Sequence, residues 1–275
     1  MSPAALASLP QLASDYALAP QLAEAFRRDG HVVTRGVCTA DEIAAYRPLI
    51  QAAVAKFNKQ TKPLAERDTY HKAFLQIANL WEIDEGVKRY VLARRFAKIA
   101  ADLMGVKGVR IWHDQALFKE PGGGPTPWHQ DQYYWPLKTA NTITMWMPLV
   151  DAPRTMGTVK FATGTHRKGP LASMHISDES EQFFQNYVRD SGCDVGQYDL
   201  SAGDATWHYG WTLHAAPGNE SDKMREAMTV IYFEDGAKVA EPANQHQPAD
   251  LARWLTGLKP GDVAASPLNP LVYPA

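Results

Sequence analysis

The chain has little cysteine. Only Cys38 and Cys193 occur in 275 residues, far apart and in no CxxC pair. That excludes a disulfide framework and reads as reduced thiols in a cytoplasmic protein. Neither sign of charge is in excess. The formal net charge is −2, so no basic surface argues for a nucleic-acid partner and no polybasic run argues for a membrane. No apolar run approaches the ~20 residues that a membrane helix needs. Met1 to Pro20 holds no Lys or Arg, so the basic start of a secretory signal is missing. The glycines between Pro121 and Pro125 precede no helix start, which excludes a phosphate cradle there.

What is present is ordinary globular material, 45% apolar and 21% charged. The length suits one large domain or two small ones and is enough to bury a sizeable core. With no internal repeat and no clear linker, residues 1–275 read as a single domain.

Residues Met1 to Ala19 are rich in Ala, Ser, Pro and Leu and read as only partly ordered. A short helix is expected from Pro20 to Asp29, stopped by Gly30, then a strand from His31 to Val37. Thr39 with Glu42 three residues on forms a capping box for a helix from Ala40 to Phe57, which Pro48 should kink or split. Phe74 to Leu80 reads as a short helix or turn, and Glu85 to Met104 as one long helix. From Val109 to about Asp235 the chain alternates strand-like runs with turn signals. The candidates are Val109–Phe118, Thr126–Asp131, Thr142–Val150, Thr158–Phe161, Ala205–His208, Leu213–Ala216 and Ala227–Glu234. Ser177 to Asp190 reads as a helix in an insertion near 170–198, and a Pro-rich tail over 236–275 holds one helix near Asp250 to Thr256. Helices first and strands after predict a mainly β fold. Its core would be a double-stranded β-helix, or jelly roll, over 109–235, with the helices of 1–108 packed on one sheet.

The stretch that carries chemistry is Trp128-His129-Gln130-Asp131. In extended chain, residues two apart share a face, so His129 and Asp131 project together with Gln130 turned away. One imidazole and one carboxylate are two thirds of a facial triad, the two-His-one-carboxylate set of non-heme iron oxygenases. The second His must come from elsewhere among nine. His31 and His71 fall in the helical front part, His166 in a loop and His175 in the insertion. His214 stands in a late strand that can pair back near an early one, and His208 is its nearest rival.

Arg225 follows His214 by eleven residues. The ordered pattern Trp-His-Gln-Asp, Gly164-Thr165-His166-Arg167, Gly203-Asp204, His214 and Arg225 resembles the phytanoyl-CoA dioxygenase family of Fe(II)/2-oxoglutarate oxygenases, from about Val109 to Phe233. The resemblance implies that His129, Asp131 and His214 hold Fe(II) and that Arg225 pairs with the distal carboxylate of 2-oxoglutarate. It also implies a reaction with O2 that hydroxylates an unactivated C–H bond of a small molecule, releasing succinate and CO2. With Asp131 present, hydroxylation or desaturation is favoured over halogenation. One departure stands out: Ala227 occupies a place where relatives often carry Ser or Thr, and Thr229 or Thr144 is the expected replacement.

Thr144, Trp146 and Gln115 are further candidates for the cosubstrate, and His113, Lys119, Tyr134, Trp135 and Lys160 for the substrate. Together they suggest an apolar body with an anionic group. Two other readings stand beside this one. The first is another non-heme metalloenzyme on the same barrel that does not use 2-oxoglutarate. The second is a non-catalytic metal- or ligand-binding relative. Substrate identity and oligomeric state are not legible.

Overall fold

The computed structural model describes residues 6–274. Two antiparallel sheets form the core, as expected for a jelly roll. The larger runs in the order β1 (His31–Thr34), β8 (Ala205–Tyr209), β5 (Thr142–Pro148), β10 (Arg225–Glu234), β3 (Val109–Lys119) and β11 (Leu271–Tyr273), with β2 (Leu75–Ala78) also paired to β3. The smaller runs β4 (Thr126–His129), β9 (His214–Ala216), β6 (Lys160–Ala162), β7 (Val195–Gln197).

Alternation along β5 separates the two faces of the larger sheet. Ile143, Met145 and Met147 join Val230, Tyr232 and Trp207 in the main apolar core. The helices α1 (Pro20–Asp29), α2 (Ala40–Phe57) and α6 (Arg94–Met104) supply the other half of that core through Phe26, Ile50, Phe96 and Ile99. Burying a side chain such as Phe96 contributes roughly 1.5–3 kcal/mol. The opposite face, carrying Thr144, Trp146 and Thr229, turns toward the smaller sheet and lines a cavity.

Several expectations hold to the residue. α1 spans Pro20–Asp29 and ends on Gly30 at φ 85°. α2 spans Ala40–Phe57 behind the Thr39–Glu42 capping box. It continues through Pro48 unbroken, held down by buried Tyr46, Ile50, Ala53 and Val54. Packing there outweighs the hydrogen bond that Pro48 lacks.

Others do not. The helix expected over Glu85–Met104 is two, α5 (Glu85–Val91) and α6, separated by an extended Ala93. The segment Phe74–Leu80 contains the strand β2 rather than a helix or turn, because the long β3 offers its backbone at Gln115 to Phe118. Short α3 (Thr69–Ala73) and α4 (Leu80–Ile83) flank it. The opening segment lies partly outside the described residues. From residue 6 onward it is anchored: Leu9 and Leu12 are buried, Tyr46 donates to Pro10 O at 2.6 Å, and Arg95 donates to Ser14 O at 3.1 Å. The insertion forms α7 (Asp178–Ser191), and the tail forms α8 (Gln247–Trp254) and the unexpected β11.

The Gly-Thr-His-Arg turn has a structural role. His166 Nε2 lies 3.2 Å from Arg27 O and Arg167 donates to Arg28 O at 2.7 Å, so both satisfy carbonyls at the C-terminus of α1. Thr165 Oγ1 accepts from Leu213 N at 2.9 Å, fixing the residue that precedes His214.

Candidate active site

β4 ends at His129 and Asp131 opens a 3-10 turn, so the pair does not share a strand as expected. The intervening Gln130 is nevertheless extended, with φ −119° and ψ 120°, and that is what aims His129 and Asp131 the same way. Gln130 points oppositely. Its amide donates to Gly169 O and Trp211 O and accepts from Leu171 N. The strand pairing of His129 with His214 then brings in the second imidazole.

His129, Asp131 and His214 present ligand atoms that all lie within 4.8 Å of one another. Asp131 Oδ1 is 3.4 Å from His129 Nε2 and 3.6 Å from His214 Nε2. Each imidazole is oriented by its other nitrogen: His129 Nδ1 is 2.8 Å from Pro127 O, and His214 Nδ1 is 2.9 Å from Thr212 O. Those carbonyls accept Nδ1–H and leave both Nε2 lone pairs facing the carboxylate, the tautomer a metal requires. Burial, with His129 and His208 close by, holds the His214 imidazole well below its ordinary range and therefore neutral. Burial pushes the Asp131 carboxyl up, but His214, His129 and His208 together hold it well below the usual carboxylate range. Two imidazole nitrogen donors beside a carboxylate oxygen donor fit a divalent iron ion.

His208 does not join this set. It approaches Asp131 through the other oxygen, Nε2 to Oδ2 at 3.3 Å, and Thr144 donates to the same Oδ2 at 3.1 Å. Thr144 thus orients the carboxylate, and its proton is not free for a cosubstrate.

The cavity measures about 600 Å³. Strand register orders its wall. Ile231 pairs with His113 and Thr144, which pairs in turn with His208, forming a row beside Asp131. Thr229 pairs with Gln115 and Trp146 in the next row. Beyond it stands Arg225, with its guanidinium 5.2 Å from the centre of the Trp146 ring. Arg225 is only 2% exposed. It donates to Gly157 O at 2.6 Å and Leu117 O at 3.3 Å, and its Nε has no partner. Burial lowers it to about 9, which leaves it charged at neutral pH. Its cross-strand partner Lys119 is fully buried and donates to Gly124 O. Neither base makes an ion pair among the described residues. A buried guanidinium with an unpaired nitrogen, lining a cavity, is a place for a carboxylate that the chain does not supply.

The remaining candidates divide. Gln115, Trp146, His113, Tyr134 and Trp135 line the cavity. Lys119 and Lys160 do not. Lys119 stands beside Arg225 on the same sheet face, buried with its ammonium tied to Gly124 O, and Lys160 stands over the Trp128 ring at 4.6 Å, in a separate groove against α7. Thr229 donates to Gln115 O at 3.2 Å, so neither it nor Thr144 offers a free proton in place of the missing Ser or Thr at Ala227. Sequence reasoning missed Tyr70, His175, His246, Asp250 and Trp254, which also line the cavity. They come from helices and loops outside the strands, α3, the insertion after β6 and the segment of α8, where no strand periodicity marks them.

A jelly roll with these donors and that unpaired arginine defines the class of iron- and 2-oxoglutarate-dependent oxygenases. The chain belongs to the phytanoyl-CoA dioxygenase family, whose model matches residues 26–227. It is 24% identical over 154 residues to a probable alpha-ketoglutarate-dependent hypophosphite dioxygenase of Stutzerimonas stutzeri, covering 54% of this chain and 53% of that one. The match thus spans about half the length of that curated relative. Among solved structures, the non-heme alpha-ketoglutarate-dependent carbocyclase SnoK from nogalamycin biosynthesis is similar at 25% identity and a TM-score of 0.77, over 93% of this chain and 96% of that one. The epimerase SnoN, in complex with Fe3+, alpha-ketoglutarate and nogalamycin RO, is similar at 25% identity and a TM-score of 0.74, over 98% and 100%.

Proposed function

We propose that the protein is an Fe(II)- and 2-oxoglutarate-dependent dioxygenase that hydroxylates a C–H bond of a small organic molecule. His129, Asp131 and His214 would hold the iron, and Arg225 would hold the distal carboxylate of 2-oxoglutarate. Iron, 2-oxoglutarate and O2 together supply the oxidant for the C–H bond, with succinate and CO2 released. The chain's own part is orientation and exclusion of water. Pro127 O and Thr212 O fix the imidazole tautomers, Thr144 and His208 fix Asp131, and Trp146 covers the arginine. Gln115 and Thr229 flank the space between Arg225 and the triad.

The single observation that carries this reading is Arg225. A buried charge is costly unless paired, and here the pairing carboxylate must arrive with a ligand. No helix of the described residues is long and apolar enough to cross a membrane. The free Cys38 and Cys193 support a cytoplasmic setting.

The test is an anaerobic titration of Fe(II)-loaded protein with 2-oxoglutarate, followed by visible absorption. A band that saturates with 2-oxoglutarate is expected. Iron binding without a band overturns the cosubstrate assignment and favours a metalloenzyme of another kind.

A further inference from the structure

The family match ends at residue 227, yet part of the cavity wall is built after it. His246, Asp250 and Trp254 fall at i, i+4 and i+8 on and just before α8, so they share one side of the helix, and all three line the cavity. The turn carrying Tyr133 and Tyr134 anchors this segment. Tyr133 O accepts from Asn244 at 2.8 Å and from Gln247 at 3.0 Å, and the Tyr134 ring packs edge-on to His246. The outer chamber is therefore closed by a segment that the family pattern does not specify.

Its chemistry is one-sided. Asp250 makes no ion pair among the described residues and interacts with the Trp254 side chain. Burial raises its carboxyl to about 6, so it is ionised from neutral pH upward. Arg253, the one Arg or Lys in this part of the wall, is exposed and rests on the Trp254 ring at 4.3 Å. His113 lies 4.8 Å from the same ring with no partner for Nδ1, and burial pushes it down to about 3, so it is uncharged. The chamber thus holds one ionised acid, the imidazoles of His113, His175 and His246 and several aromatic faces, and no buried Lys or Arg among the described residues. The phosphates of a CoA ester or a carboxylate would face the Asp250 carboxylate and, as the one Arg or Lys in this part of the wall, a solvated guanidinium. A cation or hydroxyl would find Asp250, and a ring would find surfaces to stack on.

Resting on the oxygenase reading, we propose that the substrate is a ring-containing molecule bearing a hydrogen-bond donor, an ammonium or a hydroxyl, that Asp250 accepts. Asp250 is then a specificity-determining residue contributed by the C-terminal segment. The expectation of an anionic group on the substrate loses the support of Lys119 and Lys160, neither of which lines the cavity.

The test compares phenethylamine, phenethyl alcohol and phenylpropionate, which share one ring and one linker. Their binding to the Fe(II)-loaded chain is measured anaerobically by calorimetry with 2-oxoglutarate saturating, so that Arg225 is already occupied. Phenethylamine is expected to bind about tenfold tighter than phenylpropionate, with the alcohol between them. In Asp250→Asn that preference falls to within about twofold while the alcohol still binds. Phenylpropionate binding as tightly as the amine overturns the inference, as does an unchanged preference in a folded Asp250→Asn. The wild-type series needs no variant, so it decides alone if Asp250→Asn fails to fold. A normal 2-oxoglutarate band with phenylpropionate preferred overturns the substrate inference only. A missing band overturns the oxygenase reading whichever probe binds.

Discussion

His208 Nε2 lies 3.3 Å from Asp131 Oδ2, while Oδ1 of the same carboxylate faces the imidazoles of His129 and His214. One carboxylate therefore serves two neighbourhoods, one oxygen free to bind a metal and the other held by His208 and Thr144. Groups that orient a ligand in this way typically account for about 10–100-fold in metal affinity. His208→Ala and Thr144→Val should each weaken Fe(II) binding by about that factor without abolishing it. His129→Ala, Asp131→Ala and His214→Ala should abolish it. Anaerobic Fe(II) titration separates the two groups; loss of all iron in His208→Ala would make His208 a ligand.

Arg225→Ala should leave iron bound and weaken 2-oxoglutarate. Losing hydrogen bonds to a charged partner costs about 1.5–3 kcal/mol, roughly 10–150-fold in affinity. Arg225→Lys should recover only part of this, since an ammonium cannot present the planar fork. The check is the 2-oxoglutarate concentration at half-saturation of the visible band, read beside the iron stoichiometry.

Lys119 sets a pH dependence of stability. Burial, with Arg225 close by, lowers its ammonium from 10.5 to about 6. Between those values the unfolded chain binds a proton that the folded chain does not, so stability rises with pH across that window. The destabilisation is complete below about 6 and gone above 10.5. Lys119→Met removes the lysine and its bond to Gly124 O. It should melt higher than the wild type near neutral pH, with the gap closing toward pH 10 and above. Thermal melts at several pH values test this, and a gap that widens with pH refutes it.

Gly30→Ala should destabilise the fold. The position has φ +85°, and an added Cβ would stand 2.3 Å from His166 Nδ1 and 2.8 Å from Thr212 Oγ1. Strain at a left-handed position costs on the order of 1–3 kcal/mol before any clash. Because Thr212 O also orients His214, the variant should lower both the melting temperature and Fe(II) affinity. A drop in melting temperature with unchanged iron binding would show that the Thr212–His214 geometry is insulated from the α1 terminus.

The amino-acid sequence alone determined the local features that depend on neighbours in the chain. Pro20, Gly30 and the Thr39–Glu42 box set the ends of α1 and α2. Alternation in β5 set which face meets the helices. The His129-x-Asp131 spacing made a shared direction for two donors, and the distance from His214 to Arg225 carried the family resemblance.

Tertiary structure decided everything that depends on which strand lies beside which. Pairing of β4 with β9 chose His214 over His208 as the neighbour of His129, and pairing of β8 with β5 gave His208 its place on the far oxygen of Asp131. Cross-strand register set Lys119 beside Arg225 on one face, where Lys119 is buried against Gly124 O and Arg225 lines the cavity. The break at Ala93, the strand at Leu75–Ala78 and the closing wall from α8 likewise came from long-range contacts. Periodicity reports the environment along one element. It carries no information on partners a hundred residues away, and those partners build the chamber where the substrate would sit.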